Sequence, residues 1–133
     1  IRETPFKITI STVEDKMVYD VKEFDVETGK PVLLTFKNKD FPPHNLLVVK
    51  PGKADEVANL AIALGNDGFG KQWRPDTPLI LWGSTMIDYD EETVISFIAP
   101  PPGDYPYVCT FPGHAMMMRG VMKVLPKGAD KKK

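Results

Sequence analysis

The sequence predicts an all-β domain, a Greek-key sandwich of about eight short strands with one inserted helix. Three observations point there. Apolar and polar residues alternate in short runs, the period of a strand with one buried face. The 13 prolines and 10 glycines punctuate those runs. Proline cannot donate to a β ladder, so it belongs in loops and at edges. One stretch alone follows a helical period.

The runs follow in order along the chain. "PFKITIS" places Phe6, Ile8 and Ile10 on one face. "KMVYDVKEF" is the second strand. A Thr-Gly turn in "DVETGK" leads into "PVLLTFKN", where Val32, Leu34 and Phe36 share a face. "HNLLVVK" is the fourth run, and "PLILWGSTMI", "ETVISFIA", "YPYVC" and "RGVMKVL" complete the set. In "PGKADEVANLAIALG", Val57, Leu60, Ala61 and Leu64 recur at helical spacing and Gly65 supplies a stop. This predicts a helix over 54–64, packed on the sandwich. "NDGFGKQWRPDTP" reads as an irregular loop. Trp73 and Trp82 read as core or helix-covering residues.

The 133 residues suit one domain, taken as 1–126, with 127–133 a basic tail or linker. A chain of this length buries roughly two-thirds of its unfolded surface, so a true core is feasible. The net charge of -1 gives no field to draw it to nucleic acid or an anionic membrane. No apolar run approaches the roughly 20 residues that span a bilayer. The opening "IRETPFKITI" has no initiator methionine and no visible leader, which fits a processed protein or an excised domain. A single cysteine excludes an internal disulfide.

That cysteine lies in "YVCTFPGHAMMMRG". Cys109 is followed by His114, one of two histidines, and then by Met116, Met117 and Met118. Each alone has an ordinary explanation: buried core, a turn residue, flexible packing. Together they gather a soft thiolate, a borderline imidazole and soft thioethers. Two histidines and one cysteine in a trigonal plane, with a weak axial methionine, define the blue-copper electron-transfer site. The second histidine is His44 in "KDFPPHNLLVV", at the start of a strand that a Greek key can bring beside Cys109.

"CTFPGH" followed by methionine resembles the ligand loop of azurin-like and auracyanin-like members of the cupredoxin family. The spacing Cys-x4-His-x3-Met selects Cys109, His114 and Met118. The onset of "GVMKVL" also sets Met118 next to a strand, leaving Met116 and Met117 on the loop surface and Met122 in the core. "PHN" resembles the first-histidine motif of plastocyanins and auracyanins, and the helix matches the flap of azurin-like members. The likeness runs over 4–126. It implies that Asn45 ties the first-histidine loop to Thr110, with backbone N–H groups facing the thiolate. Three positions depart from azurin. No N-terminal disulfide can form, Leu46 replaces a core tryptophan, and Pro43 replaces the glycine before the first histidine. The last favours four ligands over a fifth carbonyl contact.

The expected function is electron transfer at one type 1 copper cycling between Cu(II) and Cu(I), in a soluble shuttle or a domain of a larger redox protein. With both histidines engaged, none remains for a second copper centre or a proton relay, so no enzyme is expected. The resemblance implies exit through His114, inside an apolar patch of Phe41, Pro42, Pro112, Met116 and Met117. The expected partner is a redox protein, a cytochrome or a copper or haem enzyme, docking there with a monomer. The expected location is periplasmic or otherwise extracytoplasmic, with tethering through a further segment left open. The rival is a copper carrier or chaperone that uses the methionine-rich loop.

Overall fold

The computed structural model describes residues 4–16, 18–68, 70–111 and 117–128. In chain order the elements are β1 (Phe6–Ser11), β2 (Glu23–Glu27), β3 (Pro31–Lys37), β4 (Leu47–Val49), α1 (Ala54–Ile62), a 3-10 turn (Gly65–Asp67), β5 (Ile80–Gly83), β6 (Glu92–Ile98), β7 (Gly103–Val108) and β8 (Arg119–Leu125). They form two sheets, ordered β1-β3-β6 and β2-β8-β7-β4-β5. The β1–β3 and β2–β8 pairs are parallel and the other ladders antiparallel. This is the Greek-key sandwich expected from the sequence.

Strand period decides which residues fill the space between the sheets. Val32, Leu34 and Phe36 of β3 are fully buried, while their neighbours are half exposed. Ile95 and Phe97 of β6, Tyr105 and Tyr107 of β7, and Met122 and Val124 of β8 alternate inward in the same way. Trp82 stacks on Phe97 with ring centroids 4.3 Å apart, and Trp73 is buried. Both tryptophans therefore pack as expected.

β4 is the exception to alternation. Leu47, Val48 and Val49 are all fully buried. Val48 faces the sandwich interior, while Leu47 and Val49 pack with Ala54, Val57 and Val108 under α1. The helix thus covers the outer face of this sheet. Its buried face is Ala54, Val57, Ala58 and Ala61, and Leu60 is 38% exposed. The expected face held two leucines. Val57 and Ala61 are buried as expected, while Ala54 and Ala58 take the places expected for Leu60 and Leu64. Gly65 takes a φ of 53°, in keeping with its role as a stop.

The second strand begins later than the sequence suggests. Pairing with β8 covers Glu23–Glu27 alone. The preceding residues cross from the β1 sheet to the β2 sheet. On the way Tyr19 makes one isolated bridge to Thr12 and buries its ring against Phe36 and Tyr107.

Candidate metal centre

β7 and β8 bring the two ends of the cysteine loop together. Their ladder runs to Val108–Arg119, and beyond it the Cys109 N–H donates to the Met118 carbonyl at 3.1 Å. Cys109 and Met118 are both fully buried in the same apolar cluster. Met117, one residue earlier, is 54% exposed. The sequence predicts that contrast. Met122 is core. His114, Met116 and Pro112 lie outside the described residues, as does the tail from 129 onward.

β4 pairs with β7 at Leu47–Val108, so the residues just before β4 run beside those just after β7. His44 is anchored there by two backbone bonds with Ile87, at 3.2 and 3.0 Å. Its ring is fully buried, and Nδ1 lies 3.7 Å from the Cys109 Sγ. Asn45 uses both ends of its amide on Thr110. Its Nδ2 donates to Thr110 Oγ1 at 3.0 Å, and its Oδ1 accepts the Thr110 N–H at 2.9 Å. The backbone N–H groups of Asn45 and Phe111 both hydrogen-bond the Cys109 sulfur.

The electrostatics follow from burial. Burial pushes the Cys109 thiol up to about 11, although the two N–H groups oppose it. At neutral pH the metal-free site therefore holds a thiol, and a metal must displace its proton. Burial also lowers the His44 pKa, against a raising effect from Asp40, so this imidazole is neutral.

Three contributors lie outside the residues that the sequence singles out. The Asp40 Oδ2 lies 3.0 Å from His44 Nε2. The Trp73 carbonyl accepts the Thr110 hydroxyl. The Tyr19 hydroxyl donates to the Asn45 carbonyl at 2.7 Å. Asp40 stands four residues before His44 in "DFPPH", but the two prolines between them exclude a helical pair, so the spacing carries no signal. Trp73 and Tyr19 approach from distant segments and carry no sequence signal.

The donor set fits a thiophilic ion. With bond lengths of about 2.0–2.1 Å to imidazole nitrogen and about 2.3 Å to sulfur, as for zinc, a trigonal ion holds N and S about 3.8 Å apart. The observed 3.7 Å agrees. Among the described residues no three His, Cys, Asp or Glu side chains gather at one point.

Residues 6–125 match the family model for copper binding proteins of the plastocyanin/azurin family. The chain belongs to that family. Copper is its cofactor, and electron transfer at a copper site is the family's activity. Auracyanin-A of Chloroflexus aurantiacus is 34% identical over 122 residues, 90% of this chain and 75% of that protein. Auracyanin-B of the same organism is 29% identical, and the chain spans only 55% of its length. Among solved structures, the dithionite-reduced auracyanin of the photosynthetic bacterium Roseiflexus castenholzii superposes with a TM-score of 0.81 at 35% identity. That match covers 90% of this chain and 97% of the other. Auracyanin A, a "blue" copper protein of Chloroflexus aurantiacus, superposes with a TM-score of 0.82 at 30% identity, covering 92% and 100%. As a cupredoxin, the chain contains no helix long and apolar enough to cross a membrane among its described residues.

Proposed function

We propose that this cupredoxin is a one-electron carrier, not an enzyme, and that it holds one copper ion through His44, Cys109, His114 and Met118. The observation that carries this reading is the fully buried His44–Cys109 pair at 3.7 Å. Copper supplies a Cu(II)/Cu(I) couple, and the chain's residues keep one geometry for both states. The Asn45–Thr110 tie locks the two ligand loops together. The N–H groups on the cysteine sulfur stabilise negative charge there. The apolar cluster around Cys109 and Met118 excludes water.

Docking is assigned to the His114 end. Phe41, three residues before His44 in the chain, is 70% exposed and stacks on Tyr89 with centroids 5.1 Å apart. With exposed Pro42 and Met117 it offers the apolar surface that a brief redox encounter uses. The partner is a cytochrome or a copper or haem enzyme. An extracytoplasmic location is supported by the likeness to the Neisseria protein named Outer membrane protein H.8. The same chemistry serves a free shuttle or a domain of a larger redox protein, and the length of the encoded polypeptide distinguishes them. A copper carrier is disfavoured because fully buried ligands exchange metal slowly.

The test is the visible spectrum of copper-loaded, oxidised protein. An intense blue or green thiolate band is expected, and Cys109→Ser should abolish it in a folded protein. A colourless wild type in which Cu(II) fails to bind would end the copper reading. Rapid surrender of Cu(I) to a chelator would favour the carrier.

A further inference from the structure

Among the described residues, the four proposed ligands leave one buried carboxylate without a role. The Asp40 side chain is 3% exposed. Its Oδ1 accepts the N–H groups of Asp15 at 3.1 Å and Phe41 at 3.0 Å, and its Oδ2 faces His44 Nε2 at 3.0 Å. The residue is itself tightly held. Its N–H donates to Asn38 Oδ1 at 2.9 Å, and the same oxygen accepts the Thr12 hydroxyl at 3.0 Å. Asn38 Nδ2 donates to the carbonyls of Pro42 and Ile87, both at 2.9 Å. Ile87 is the residue that bonds the His44 backbone. Carboxylate and imidazole are thus fixed to one frame.

An ionised carboxylate only accepts hydrogen bonds. His44 Nε2 must then carry the ring proton, and Nδ1 must present its lone pair on the side facing Cys109. We propose that Asp40 is a positioning residue of the copper centre, locking the Nε2–H tautomer of His44 and biasing the centre toward Cu(II) through its negative charge. This rests on the reading of His44 as a ligand. A carboxylate behind a ligating imidazole raises its donor strength, and the more highly charged ion gains more. A neutral acceptor would hold the tautomer without that bias.

Nitrogen-15 NMR of the metal-free wild type at neutral pH tests the first half directly. The expected result is a proton on Nε2, and a proton on Nδ1 would overturn the proposal. Asp40→Asn tests the second half. Its amide oxygen can keep both backbone N–H groups, which turns the amide nitrogen toward Nε2. Two donors cannot face each other, so the ring proton should move to Nδ1. Cu(II) affinity should fall about 10–100-fold. The tautomer penalty weakens Cu(I) as well, so only the excess loss of Cu(II) affinity shows in the potential, which rises by about 59 mV for each tenfold excess. A lower melting temperature with native tautomer, affinity and potential would make Asp40 merely structural. His44→Ala separates the two claims. If it leaves copper affinity and spectrum intact, the ligand reading fails. If it destroys them while Asp40→Asn changes neither affinity nor potential, this inference alone fails.

Discussion

Asn45 shows how much one side chain controls at the residue scale. It satisfies the Thr110 N–H and hydroxyl, its carbonyl receives Tyr19, and its N–H reaches the cysteine sulfur. Asn45→Ala strands buried groups on Thr110, which costs about 1–3 kcal/mol. The expected outcome is a lower melting temperature and a shifted potential with colour retained. Unchanged melting and potential would remove Asn45 from the tuning network. Tyr19 gives a pH prediction. Burial raises its pKa well above the ordinary tyrosine value of 10.0. Its contribution is therefore full below pH 10, the unfolded value, and is lost as pH climbs beyond that. At pH 11 the unfolded chain gains about 1.4 kcal/mol from ionising this phenol. Chemical denaturation at pH 8 and pH 11 should show wild type losing more stability than Tyr19→Phe, and equal losses would refute it. The single cysteine, the two histidines and the methionine run drew attention to Cys109, His44 and the ligand loop, while the choice of Met118 and the Asn45–Thr110 tie came from the family resemblance. Asp40 and the Trp73 carbonyl were not legible. A carboxylate in a loop carries no mark of burial, and a backbone carbonyl has no side-chain identity at all.

Between strands, Gly120 of β8 makes a close fit with β7. A Cβ there would sit 2.2 Å from the Tyr107 ring. The ring cannot retreat, because its hydroxyl is bonded to the Val21 carbonyl and its faces meet Tyr19 and Phe24. Gly120→Ala should therefore destabilise by about 1–3 kcal/mol, the usual range for overpacking. Gly70→Ala is the control, since its Cβ would meet nothing closer than the Asp67 carbonyl at 3.7 Å. Equal denaturation midpoints for the two variants would show that β7 and β8 part easily. Strand identity was legible in the sequence wherever one face is solvated, as in β3. It failed in the segment before β2, where Tyr19 is buried in a crossover and not in a ladder. The helix was legible by period, and its buried face in part: Val57 and Ala61 are buried, Leu60 is not. Which side of a small-residue helix meets a sheet depends on how closely the two can approach, and that belongs to the pair.

Across the whole molecule, the sandwich concentrates the proposed ligands His44 and Cys109 at the start of β4 and the end of β7, and Met117 near Cys109 in the chain faces solvent. The metal must be dry while a partner comes near, so docking has to rely on weak apolar contact around a buried centre. A charge placed in that contact should disturb encounter and spare the metal. Met117→Glu changes the overall charge by a single unit from -1, too little to alter long-range behaviour. In self-exchange the two copies present the same surface, so the new carboxylates face one another. The expected outcome is a nearly unchanged visible spectrum with slower self-exchange at low salt. The defect should ease at high salt, because exposed charges are screened over about 10 Å at 0.1 M ionic strength. NMR line broadening of mixed oxidised and reduced protein measures the rate at both salts. A persistent defect at high salt would mean that the lost methionine contact matters more than charge. Wild-type rates at both salts would mean that electrons leave by a face that does not include Met117.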